Sequence, residues 1–194
     1  MEEFFLNLGL SYTCSKILPF ILMIILGILL AIFIHKIFYK KVWKIVLPIL
    51  AFFAPAAIYF ILHPIYQGDL NDSSRSVKKE VAAELNPKTL YVISLPGCPW
   101  CKLSIKDMEK LQERNPNLKV SYVVVSNDEN HLAFYKEEIP KTFTLELAKE
   151  PRQLSQVARG EYPTFAIVDG NEILAWSNSE FGSYAWDKIN KIVK

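Results

Sequence analysis

The chain has 194 residues, is 51% hydrophobic and 22% charged, and carries a formal net charge of +2. That length suits one ordinary domain, the aromatic and apolar content excludes a disordered chain, and three cysteines are too few for a disulfide framework. Residues 1–68 hold five lysines against two glutamates, whereas residues 69–194 hold seventeen Lys/Arg against eighteen Asp/Glu, so the averages conceal two different parts.

After an N-terminal arm, residues 1–16, nineteen residues without a formal charge lie between Lys16 and Lys36. Twenty-four more lie between Lys44 and Asp69. A helix needs about 20 apolar residues to cross roughly 30 Å of hydrocarbon. The runs therefore predict spans over about 17–35 and 45–66, a hairpin over 17–66 with a connection at 36–44. Two buried core helices, the competing reading, would need a larger protein around them. Pro48 and Pro55 fall in the second run, where neighbouring helix contacts tolerate a kink. The start Met1-Glu2-Glu3 lacks the basic region of a cleavable signal peptide.

The connection holds Lys36, Lys40, Lys41 and Lys44, the arm holds only Lys16, and the next positive charge is Arg75. The positive-inside rule then puts the connection in the cytoplasm and both termini on the extracytoplasmic side of an integral membrane protein. Tyr39, Trp43, Tyr59 and Tyr66 lie near the span ends, as do His35 and His63, which are too far apart in depth to suggest a haem pair. Cys14 sits beside the first span and neither span contains a cysteine. The hairpin therefore reads as an anchor in the lipid bilayer, not as a thiol relay across it.

Residues 67–87 read as a linker and a short helix: 66–76 are polar, and Val77, Val81 and Leu85 recur four apart before Pro87. From residue 88 to 194 the pattern is that of a compact α/β domain. Lys88–Leu95 and Leu118–Ser126 are apolar strands around a helix from Pro99 to Arg114, stopped by Asn115-Pro116. Residues 127–160 look mostly helical and irregular, broken by Pro140 and Pro151. Thr164–Val168 and Glu172–Ser177 flank Asp169-Gly170-Asn171, a hairpin signal, and Tyr184–Val193 forms a last helix. A βαβ unit joined to an antiparallel hairpin predicts a mixed sheet flanked by helices.

Cys98-Pro99-Trp100-Cys101 lies between the first of these strands and its helix. A cysteine at a helix N-terminus faces unpaired backbone N–H groups and the positive end of the dipole, both of which favour thiolate. Pro99 suits the first helical turn, and the two residues between the cysteines tune the redox potential. This points to Cys98 as nucleophile and Cys101 as resolving thiol. Trp100 is either an apolar contact for substrates or packing on the helix top. A zinc site would need two more ligands, with no second CxxC and only His131 outside the membrane part. A purely structural disulfide would close a four-residue loop, for little entropic gain. No metal and no cofactor is expected.

YVISLPGCPWCK resembles the strand, turn and helix start of dithiol glutaredoxins and other thioredoxin-fold proteins, and ARGEYPTFAIVDGNEIL resembles their cis-proline segment. The resemblance covers about Lys88 to Lys194 and implies a thioredoxin-like sheet behind the two-helix hairpin. It implies that Pro163 is the cis-proline opposite Cys98 and that Tyr162, Pro163 and Thr164 bind substrate, Tyr162 by offering backbone hydrogen bonds. A strand-initiating proline is the alternative for Pro163. Val92 stands where thioredoxins carry a buried acid, and Phe181-Gly182-Ser183 replaces the Gly-Gly segment with which glutaredoxins hold glutathione. Pro-Trp also lacks the histidine of strongly oxidising members, so an intermediate potential is expected. The function implied is a thiol:disulfide oxidoreductase acting on thiols and disulfides of exported or membrane proteins, with a further redox partner and no nucleic acid. A reductase dedicated to one partner, and a non-catalytic adaptor or chaperone, are the alternatives.

Overall fold

The computed structural model describes residues 2–37 and 42–194. Tyr39, Lys40 and Lys41, which enter the orientation reading, lie outside the described residues. The chain divides into two compact units, Met1–Leu70 and Asn71–Lys194.

The first unit contains α1 (Glu2–Asn7), α2 (Tyr12–Ile37), α3 (Trp43–Leu62) and α4 (Gln67–Leu70). At about 1.5 Å per residue, α2 and α3, with 26 and 20 residues, are long enough to cross a bilayer. Only 11% and 0% of their most apolar windows are buried, whereas the core helices of a soluble domain would be covered. They are candidate membrane spans. Helix α2 extends further than the expected span and includes Cys14, which is exposed; α3 ends at Leu62, short of residue 66. The two helices meet at Gly27, where a Cβ would collide with the Phe52 carbonyl oxygen, and at Phe20, edge-on to Tyr59 at 4.8 Å. Asp69 is nearly buried; its carboxylate pairs with Lys16 at 3.1 Å and accepts the Tyr66 N–H at 3.0 Å.

The second unit is built from β1 (Arg75–Lys78), β2 (Thr89–Ser94), α5 (Pro99–Leu103), α6 (Ile105–Arg114), β3 (Lys119–Val124), α7 (Ala133–Lys136), β4 (Thr144–Leu147), α8 (Pro151–Ala158), β5 (Thr164–Asp169), β6 (Glu172–Ser177) and α9 (Ser183–Val193). The strands form one sheet in the order β1-β6-β5-β2-β3-β4. Strands β2, β3 and β4 are parallel, β5 runs antiparallel to β2, and β6 is antiparallel to both β5 and β1. Alternation along each strand sends side chains to opposite faces. Tyr91, Ile93, Val123, Ala166 and Ala175 pack with Leu154 and Val157 of α8 on one face. In register on the other lie Val92, Tyr122, Phe165 and Trp176. There Ser104 reaches the Tyr122 hydroxyl at 3.0 Å, and Phe181 stacks on Phe165 at 3.8 Å and meets Trp176 and, from α9, Trp186. This is the thioredoxin-like mixed sheet with flanking helices that the resemblance implies. Strands β5 and β6 are joined through Gly170, whose φ of +60° is the left-handed conformation the turn demands.

Four local expectations differ from the structure. The helix expected from Val77 to Leu85 is instead β1, paired with β6 from Arg75↔Ala175 to Lys78↔Glu172 and followed by a 3-10 turn, Lys79–Ala82. A free edge of β6 outweighs a four-residue apolar spacing, because pairing satisfies a whole row of backbone groups. The expected linker is correspondingly ordered at its ends: α4 occupies Gln67–Leu70, and Lys188 of α9 holds Asp72 Oδ2 at 2.7 Å and Ser74 Oγ at 2.9 Å. The helix expected through Arg114 breaks after Leu103, where the Ser104 hydroxyl donates to the Cys101 carbonyl at 2.8 Å. Within 127–160 the short strand β4 adds a parallel edge beside β3.

Candidate active site

Strand β2 ends at Ser94 deep in the sheet, and the chain turns through Leu95-Pro96-Gly97 into α5. Gly97 sits at φ +67°, where a side chain would be strained. The turn is closed by the Cys98 N–H to the Leu95 carbonyl at 3.3 Å. Cys98 then occupies the N-cap of α5 with extended backbone, Pro99 follows in the first turn, and the Cys98 sulfur accepts the Cys101 N–H at 3.2 Å. The two sulfurs are joined as a disulfide with their Cα atoms 5.3 Å apart. Cys98 is half-buried and Cys101 fully buried. The same pair therefore presents one sulfur toward solvent and shields the other.

The Tyr162–Pro163 peptide bond is cis. Tyr162, partly buried, packs in the same apolar cluster as Cys98 and Cys101. The loop before β5 is thus brought to the cysteine pair from the far end of the domain sequence. Trp100 is 63% exposed at the start of α5. Thr164 is different: it is fully buried, its hydroxyl donates to the Glu161 carbonyl at 2.6 Å, and its backbone pairs with Ile93. Its side chain secures the loop and is not available to a substrate.

Val92 is fully buried one strand register inside the site, so no carboxylate stands beneath the cysteines at that position. Two tyrosines occupy the surroundings instead. Tyr122 is buried, and burial pushes its phenol well above the ordinary range even though Ser104 hydrogen-bonds to it. Tyr135 belongs to the cluster with Cys98 and Cys101 and donates to the Leu95 carbonyl at 2.6 Å. Burial pushes its phenol up to about 12 against the hydrogen bonds from the Cys98 backbone and the Ser94 side chain. On the outer side, Lys102 pairs with Glu138 at 2.7 Å and lies 4.2 Å from the centre of the Phe134 ring. Sequence reading missed Tyr135, Ser94, Ser104 and Glu138. The irregular pattern around Tyr135 offered no signal, while the Ser104 break had only a serine in mid-helix to announce it. Among the described residues no cluster of His, Cys, Asp and Glu could hold a metal ion.

No family model and no curated protein matches this chain. Among solved structures, a thioredoxin-like protein from Bacteroides caccae is similar at 13% identity and a TM-score of 0.39. The similarity covers 74% of this chain and 62% of that one, so this chain spans less than two thirds of its neighbour's length. At that distance the chemistry rests on the site's own geometry.

Proposed function

We propose that this chain is a membrane-anchored thiol:disulfide oxidoreductase, held by α2 and α3 with its catalytic domain on the extracytoplasmic side. Its substrates are thiols and disulfides of exported or membrane proteins. The observation that carries the reading is the unequal pair: a half-exposed Cys98 sulfur capped by a backbone N–H, above a Cys101 sulfur buried one helical turn on. The lysines of the connection support the orientation.

In the reducing direction, the Cys98 thiolate attacks one sulfur of a substrate disulfide. That S–S bond breaks, the attacked sulfur forms a mixed disulfide with Cys98, and the other substrate sulfur leaves as thiolate. Cys101 then loses its proton to that thiolate or to water and attacks the Cys98 sulfur, releasing the second substrate thiolate. The Cys98–Cys101 disulfide has taken the oxidation, and two electrons have gone to the substrate. A dithiol partner must return them; run backward, the same steps oxidise a substrate dithiol. With Val92 in place of an acid, the Cys101 proton leaves without a carboxylate relay. Tyr162 and the exposed Trp100 ring flank the path a substrate takes to Cys98.

Replacing Cys101 with Ala should stop the cycle at the first step. Mixed disulfides on Cys98 are expected to accumulate in membranes and to be released by reductant. If Cys98→Ala traps the same partners instead, the two roles are reversed. If function survives replacement of both cysteines, the domain is an adaptor and the enzymatic reading fails.

A further inference from the structure

Tyr135 has no step in the exchange cycle, yet it is buried against the cysteine pair. Its O–H donates to the Leu95 carbonyl at 2.6 Å, and the apolar cluster it forms with Cys101 and Val124 is the one Cys98 packs against. Leu95 and Cys98 are the two ends of the turn that presents the nucleophile. Their own bond, Cys98 N–H to Leu95 carbonyl, is long at 3.3 Å, beyond the usual range for N–H···O. The phenol thus ties the Leu95 end of a turn that closes weakly by itself, and the cluster around its ring packs against Cys98 at the other end. The segment carrying it is gripped from outside as well, by Glu138 on Lys102 at 2.7 Å and by Phe134 beneath the Lys102 ammonium. Lys102 directly follows Cys101, so residues 134–138 hold the turn before α5 and the first turn of α5 at once.

We propose that Tyr135 is a positioning residue for Cys98: its phenol holds the Leu95–Cys98 turn so that the Cys98 sulfur stays aligned with the Cys101 N–H that stabilises its thiolate. The proposal deepens the oxidoreductase reading and rests on it only for the use made of that thiolate. The phenol acts by holding and not by titrating, because burial keeps it neutral across the physiological range. Released from it, the turn relaxes, the N–H···S contact loses the alignment on which its strength depends, and thiolate becomes less favoured against thiol. Reduced protein is then less stable relative to the disulfide.

Tyr135→Phe in the full chain, in detergent or nanodiscs, removes the hydroxyl while keeping the ring and its packing. Melting temperature monitors the fold. The decisive readouts are the alkylation rate of Cys98 in the reduced protein against pH, mapped by mass spectrometry, and the equilibrium of the pair with glutathione. The alkylation midpoint is expected to rise by about one pH unit, giving roughly tenfold less thiolate near neutrality, and the disulfide to gain at the expense of the dithiol. A lower melting temperature with midpoint and equilibrium unchanged would make Tyr135 a packing residue only and overturn the proposal. Both readouts need no protein substrate. Unaltered protein that exchanges with no protein disulfide would therefore defeat the functional reading while the Tyr135 result still stands or falls by itself.

Discussion

Cys98 and Cys101 are neighbours in sequence with unlike surroundings, and the difference arises from one helical turn. Cys98 ends the loop and caps α5, so its sulfur meets a backbone N–H at 3.2 Å; Cys101 is carried inward beneath Val124 and Tyr135. The helix N-terminus and the one-turn spacing that create this asymmetry lie within a few residues, which is why the motif is readable from sequence, whereas the residues that cover Cys101 are distant along the chain. Tyr135 is not so readable: it is forty residues from the Leu95 carbonyl it binds, and only packing brings them together. Asp72 gives a second residue-scale case. Burial disfavours its carboxylate, but the hydrogen bonds from Lys188 and Ser74 outweigh that and hold its pKa below the ordinary value. A lowered pKa contributes stability above the unfolded value, near 3.9, and loses it as pH falls through the folded one. Asp72→Asn should therefore cost at most about 1 kcal/mol at neutral pH, since the pair is partly exposed. The urea midpoints of the two proteins should converge as pH falls through the lowered carboxylate pKa. A gap that persists in acid would show that the charge of Asp72 is not its source.

At the scale of elements, α2 and α3 pack closely where Gly27 faces the Phe52 backbone. Hydrophobic runs announce the two helices, but which residue lies at their crossing depends on how they rotate against each other. A side chain at Gly27 must push backbone aside, and overpacking of this kind costs about 1–3 kcal/mol. Gly27→Leu is expected to lower the melting temperature of α2 and α3 in detergent, followed by circular dichroism; an unchanged melt would mean that the helices do not pack through this face. The misread element, β1, shows the opposite limit. Val77, Val81 and Leu85 satisfy a helical spacing, yet Arg75–Lys78 alternates half-buried and exposed residues along the edge of β6. Short segments carry both periodicities, and the sheet decides between them.

For the whole molecule, the division at Leu70 and Asn71 coincides with the change from lysine-rich apolar sequence to nearly neutral α/β sequence. The second unit has its own core on both faces of a six-stranded sheet. Residues 71–194 produced alone should therefore unfold cooperatively, with a stability in the ordinary range of about 5–15 kcal/mol, and remain in the soluble fraction. The full chain should sediment with membranes. A broad, non-cooperative melt of 71–194 would show that the first unit is required for folding.

The two long apolar helices, the hairpin at Gly170 and the cysteine pair between strand and helix were legible because each is a short-range signal, carried by residues adjacent along the chain. The sheet order β1-β6-β5-β2-β3-β4, the conversion of a linker into an edge strand, the burial of Thr164 and the arrival of Tyr135 beside Cys98 were decided only by tertiary structure. Such contacts join segments far apart in sequence. Their loop-closure cost is offset only when the whole sheet and its helices bury together, so no local pattern can announce one of them without the rest.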